Sequence, residues 1–201
     1  ERTYTTNFVG DSSFSTSKIA SGFTSKLKQS LNVSFETNID SSNSLKFTAR
    51  GNLNNTKSNS VYNLQSLNSK SLLINNSSRR TNSTVDNSAL NTNILWKHKF
   101  KKLARTLTIN ASYNFSSSNT DSYLFSRNDF YNNGIPNRID TTDQENKKEN
   151  KANTLAATIT YTEPLAKDFF LSLTYNYSNS STSNNRFTYE QDFNQKYTVR
   201  I

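Results

Sequence analysis

The chain has no cysteine, one histidine, two prolines and four glycines in 201 residues. Without cysteine there is no disulfide, no thiolate metal site and no cysteine nucleophile. A single histidine rules out a histidine-based zinc site. No run of 18 apolar residues occurs, so no transmembrane helix is expected. Hydrophobic residues make up only 32% and charged residues 19%, against an apolar share of roughly 45–50% in ordinary globular domains. Disordered chains are also apolar-poor, but they lack aromatics and carry more proline and glycine. Here there are 13 Phe, 10 Tyr and one Trp. The remainder is uncharged and polar: 31 Asn, 31 Ser and 24 Thr. This composition excludes a helical or α/β enzyme and simple disorder, and suits strands with one apolar and one wet face. The net charge of +9 raises nucleic acid or an anionic lipid surface as partners without choosing between them.

Period-2 alternation recurs along the chain. Leu31, Val33, Phe35 and Ile39 share one face, with Asn32, Ser34, Glu36 and Asn38 opposite. Asp40-Ser41-Ser42-Asn43 is a turn signal, because short polar side chains mimic backbone bonds. Leu45, Phe47, Ala49 and Leu53 follow, alternating with Lys46, Thr48, Arg50 and Asn52. Leu90, Ile94, Trp96 and Phe100 lead into the basic turn 101–105, and Leu107, Ile109, Ala111, Tyr113 and Phe115 lead out. Leu155, Ala157, Ile159 and Tyr161 precede the turn 163–168, and Phe169, Leu171, Leu173, Tyr175 and Tyr177 follow it.

The pattern predicts six strands near 23–39, 45–55, 89–100, 106–117, 153–163 and 169–180. Short turns join each pair, and residues 56–88 and 118–152 are expected as long polar loops. The ends are open: Tyr4, Phe8 and Phe14 suit a strand or a loop, and 186–189 suits a strand extension or a loop hairpin. Short turns at one end and long loops at the other are the pattern of an outer-membrane barrel. Each segment reaches the 9–11 residues a tilted strand needs to cross. Lys46, Arg50, Lys97 and Lys99 on the polar face suit a wet lumen better than a dry core. Trp96, Phe100, Phe115, Tyr161, Phe169 and Tyr177 lie toward strand ends, where interfacial girdles belong. The competing reading is a soluble sandwich with one dry face.

Three stretches carry a family resemblance: 39–48, 96–110 (Trp96-Lys97-His98-Lys99-Phe100 through Asn110), and 161–168 with 171–177. They resemble the outer-membrane β-barrel family related to TonB-dependent receptors. The resemblance covers the three turns and their flanking strands. It implies an all-β, antiparallel up-and-down transmembrane barrel, often preceded by a carboxypeptidase-regulatory-like sandwich and a plug. It implies no enzyme activity, no cofactor, and no catalytic, cofactor-binding or metal residue on this chain. Residues 1–201 are expected to be one segment of such a barrel in the cell outer membrane, with the plug and N-terminal domains outside it. Expected partners are outer-membrane lipid, the rest of the barrel and its plug, and a TonB-type energy-coupling protein or a surface lipoprotein, with no nucleic acid. The expected function is uptake of a ligand. The alternatives are a surface structural or adhesion barrel working through Asn/Ser/Thr-rich loops, and a secreted carbohydrate-binding sandwich.

Individual clusters have a functional and a bland reading. Lys97, His98, Lys99, Lys101, Lys102 and Arg105 could meet anionic headgroups, or simply keep an interfacial turn in water. Asp140, Asp143, Glu145 and Glu149 could offer oxygen ligands to calcium. Their spacing matches no calcium loop, and interspersed lysines favour a solvated charge run. Asn133-Gly134-Ile135-Pro136-Asn137 reads as a turn without phosphate-loop context.

Overall fold

The computed structural model describes residues 1–9, 12–192 and 196–201. It is a single antiparallel sheet of eight strands in sequence order, β1 (Arg2–Val9), β2 (Ser12–Asn38), β3 (Asn43–Asn68), β4 (Leu73–Lys99), β5 (Thr106–Asn132), β6 (Ile135–Ala166), β7 (Phe169–Gln191) and β8 (Tyr197–Arg200). No helix occurs among the described residues. The all-β antiparallel up-and-down meander expected from sequence is therefore present, as one open sheet.

The long loops are not. Residues 56–88 are two strand arms joined by a tight turn at 69–72, and 118–152 are two arms joined at Asn133-Gly134. The β3–β4 and β5–β6 ladders run without a register shift until the last residues before each tip. Both faces are mostly polar along these arms, with Val61, Leu64, Tyr123, Leu124 and Phe125 spread over the two, so the apolar alternation that marks a strand is lost while the strand continues. Cross-strand side-chain pairs hold the arms: Asn55 donates to Asp86 at 2.6 Å, Ser77 to Asn128 at 2.6 Å and Thr188 to Asn146 at 2.9 Å, and Asn59 pairs with Asn82. Such pairs contribute roughly 0.2–1 kcal/mol each. At 26 and 27 residues, β3 and β4 are each on the order of 90 Å long at the usual rise.

The chain ends are strands too. Tyr4 and Phe8 lie on β1, Phe14 on β2, and 186–189 belongs to β7.

Turn chemistry explains the reversals. Asp40 Oδ1 accepts the backbone N–H groups of Ser42 and Asn43, each at 2.7 Å, and the Asn43 carboxamide at 3.0 Å. These bonds, led by that from the Asn43 side chain, hold the Asp40 carboxyl below its usual range. Asn68 Oδ1 does the same for Lys70 and Leu72. Asn133 and Gly134 have φ of 49° and 82°, the two positive angles of the tight turn that Asn-Gly favours between twisted strands.

No hydrophobic residue is buried among those described. A sheet with an apolar face normally hides it against a second layer. This one hides it against nothing of its own.

Candidate functional site

Residues paired across a ladder share a face, and successive residues alternate. One face therefore gathers the apolar residues of six strands. Its middle rung is Phe35, Phe47, Ile94, Ala111, Ala157 and Tyr177. Neighbouring rungs carry Val33, Tyr113 and Leu155 on one side, and Leu45, Trp96, Ile109, Ile159 and Tyr175 on the other. Many of these are open to the surroundings, Leu31 by 68% and Tyr175 by 64%.

The upper limit of the continuous apolar zone steps obliquely down the sheet, with Phe23 on β2 and Tyr123 and Phe125 on β5 standing apart above it. It is marked by Leu27 on β2, Leu53 on β3, Leu90 on β4, Phe115 on β5, Leu155 on β6 and Tyr177 on β7. The next residue up on the same face is always Ser or Asn: Ser25, Asn55, Ser88, Ser117, Asn153 and Asn179. Along the registered ladders the line falls by eight residues over five strand steps. With about 3.3 Å per residue and about 4.8 Å between strands, the strands cross that line at roughly 45° from its perpendicular. Between the line and the short turns the only Asp, Glu, Lys or Arg on this face among the described residues is Glu163, close to the turn end of β6. Leu173 sits midway between Phe169 and Tyr177, and Thr174 points to the other face.

Near the short turns lies an aromatic and ionic rim. Trp96 stacks on His98 at 5.8 Å, His98 meets Phe100 edge-on at 4.5 Å, and Phe100 meets Tyr161 at 6.2 Å. Arg105 grips Glu163 with two bonds of 2.7 Å. Lys102 donates to Glu163 and to the Pro164 carbonyl, both at 2.7 Å. Tyr161 donates to Glu163 at 2.6 Å. Bonds from Arg105 first, then Lys102 and Tyr161, hold the Glu163 carboxyl down at about 2. The four-residue network ties the β4–β5 turn to the last residues of β6. Of the girdle aromatics expected from sequence, Trp96, Phe100, Tyr161 and Phe169 line this rim and Phe115 and Tyr177 mark the oblique upper limit.

The basic cluster is thus divided by geometry. His98 lies on the apolar face, its Nδ1 2.8 Å from Asn43 Oδ1. Lys102 and Arg105 are spent on Glu163. Lys97 and Lys99 project from the polar face. The acidic run is divided likewise. Glu145 accepts from Tyr123 at 2.7 Å and meets Lys147 at 3.3 Å, Glu149 pairs with Lys151 at 2.5 Å, and Asp143 accepts from Tyr197 at 2.5 Å. That last bond pushes the Tyr197 hydroxyl up to about 12. Asp140 lies on the opposite face with Arg138. No group of three or more metal-ligating side chains gathers among the described residues. Asn133-Gly134 is a turn, as its sequence predicts.

The second face is mostly polar, with Leu64, Val85, Leu95, Leu124 and Phe130 scattered among Asn, Ser and Thr. Across the registered ladders it holds Lys18, Lys26 and Lys28 on β2, Lys46 and Arg50 on β3, Arg79, Lys97 and Lys99 on β4, Arg138 and Lys148 on β6, and Arg186 on β7. Its only carboxylates there are Glu36, Asp140 and Glu190. The apolar face carries Lys57, Arg80, Arg127, Lys147 and Lys151 against seven carboxylates along the same ladders. Nearly all of the chain's positive excess therefore lies on the polar face. Lys148 and Arg186 stand directly opposite one another, an arrangement that like charges disfavour. Sequence reading missed this sorting because Arg79, Arg138 and Lys148 lie on arms expected as loops, and Lys18 and Arg186 lie in the ends left open. Counting charge by parity along extended strands would have found it.

At the depth of the apolar zone the polar face holds a hollow of about 490 Å³, its polar lining led by Arg50 with Asn32, Ser34, Thr48, Asn91, Asn93, Ser112 and Asn114. Asn32, Arg50, Asn91 and Asn114 share one rung.

In sequence comparison the chain matches no family model and no curated protein.

Proposed function

We propose that this chain forms part of an outer-membrane β-barrel that takes up a ligand through a polar lumen, in the manner of TonB-dependent receptors. The oblique apolar zone carries the reading. A bilayer is a level slab, and barrel strands cross it tilted by about 35–45°. The apolar limit on a membrane barrel must then step down from strand to strand, as the line from Leu27 to Tyr177 does. Exposed apolar side chains without a covering layer are stable facing acyl chains and costly facing water. The rim of Trp96, Phe100 and Tyr161 suits the headgroup level. The polar face, rich in Asn, Ser, Thr, Lys and Arg, suits a water-filled interior. Transport follows from the family resemblance; the physical argument supports the membrane barrel.

The strand arms above the zone favour a second reading. Mostly polar on both faces, they would stand well clear of the bilayer and offer an extended surface to a binding partner, as in an adhesion barrel. A plug domain encoded ahead of the barrel separates the first reading from the second.

The membrane reading is tested with spin labels on the full-length protein in lipid vesicles. A label at position 173 should respond to a lipid-soluble quencher and one at 174 to a water-soluble quencher. Shielding of position 173 from both would place it in a protein core and favour a soluble sandwich.

A further inference from the structure

The hollow around Arg50 is built for a ligand chemistry. It sits on the polar face, level with the apolar zone of the other, and its volume of about 490 Å³ falls within the usual 300–1,000 Å³ of small-molecule sites. Arg50 is its single charged group and makes no ion pair among the described residues. Asn32 and Asn91 flank Arg50 on its own rung, and Thr48 and Asn93 stand on the next. None of the lining residues is a carboxylate. A guanidinium presents a planar fork of donors that matches a carboxylate with two parallel bonds. Surrounding carboxamides and hydroxyls both donate and accept, which suits a ligand rich in hydroxyl groups. The cationic excess of the whole face raises the local concentration of anions and repels cations, as rings of Lys and Arg do in anion-selective pores.

We propose that Arg50 and its carboxamide ring form a binding site for a singly charged, hydroxyl-rich carboxylate, of the sugar-acid class. The site rests on the reading of this face as a wet lumen. One guanidinium balances one carboxylate. A phosphate ester, carrying close to two charges, needs a second cation, and Lys46, four residues away along β3 on the same face, is already paired with Glu36 at 3.0 Å.

The test uses the full-length protein in detergent micelles, titrated by NMR with D-galacturonate, D-galactose and D-galactose 1-phosphate at low ionic strength. The expected result is at least tenfold tighter binding of galacturonate than of galactose. Arg50→Gln should abolish that preference and Arg50→Lys should retain part of it. Lys147→Gln, which removes one positive charge from the other face, should leave it intact. A preference that survives Arg50→Gln overturns the proposal. So does equal loss in Arg50→Gln and Lys147→Gln, which would mark a non-specific charge effect, or tighter binding of the phosphate ester. The spin labels decide the barrel separately. Position 173 open to lipid with no galacturonate preference sinks the site alone. Position 173 shielded, with the preference present and Arg50-dependent, sinks the barrel and leaves the site.

Discussion

Glu163 receives bonds from Arg105, Lys102 and Tyr161, and its carboxyl is held at about 2 against an ordinary 4.5. A carboxyl whose folded value is depressed adds stability that is complete above its unfolded value and is lost as pH falls toward the folded one. The tie between the β4–β5 turn and the end of β6 should therefore hold at pH 5 and above and weaken between pH 4.5 and 2. A carboxyl carbon NMR titration should place the Glu163 midpoint near 2, and Glu163→Gln should remove the acid loosening of the 100–105 turn. A midpoint near 4.5 would mean that the network is absent in solution. Leu173 tests the two faces at the same scale. Leu173→Arg puts a charge in the middle of the apolar zone and should cost roughly 2–4 kcal/mol if that zone meets acyl chains. Thr174→Arg projects from the wet face and should cost far less. Denaturant titration of the full-length protein in vesicles compares the two, and equal costs would contradict the assignment of faces.

At the scale of the element, the feature to explain is strand length. β4 and β5 each have 27 residues, while crossing a bilayer takes about 9–11. The surplus forms two polar arms, held by backbone ladders and by Asn, Ser and Thr pairs. If they are sheet rather than loop, protease should find only their tips. Cleavage on intact cells is expected at 69–72 and 133–134, with 56–66 and 118–130 spared along with the turns near 41, 103 and 167. Rapid cutting along the arms would show that they are not paired in solution. The tips also show where local sequence suffices: Asn133-Gly134 is a turn by backbone preference alone. The 69–72 turn instead needs Asn68 to accept two backbone N–H groups, which is invisible in a stretch where Asn and Ser are everywhere.

For the whole molecule, the open edges decide behaviour. β1 covers only the upper part of β2, and β8 pairs with only three residues at the top of β7. Residues 21–38 of β2 and 169–187 of β7 each have a ladder on one side only among the described residues. Both bare edges run through the apolar zone. Unpaired backbone groups in hydrocarbon cost several kcal/mol each, which is why membrane sheets close. These 201 residues on their own should therefore fail to form a heat-modifiable, protease-resistant monomer in micelles, and should aggregate or pair edge to edge. A stable monomer of this kind by gel shift and light scattering would contradict the open sheet.

By itself, the sequence determined the parts with an apolar rhythm. The six strand cores, the turns at 40–43 and 101–105, and the membership of each face follow from period-2 alternation and turn chemistry, because a one-residue slip would turn Leu173 and its neighbours to the wrong side; the third turn, expected over 163–168, is confined to 167–168 because β6 runs on to Ala166. The tertiary structure alone decided three things. It turned the polar stretches 56–88 and 118–152 into strands, because ladder bonds to a registered neighbour stabilise a backbone that has little strand preference of its own. It set the stagger between strands, and with it the oblique limit from Leu27 to Tyr177, because the offset of one strand against the next is a property of pairing. And it split the cluster at 97–105 among two faces and a turn while gathering Lys28, Arg50 and Lys148 onto one face, because charges far apart along the chain become neighbours only once every strand has its partner.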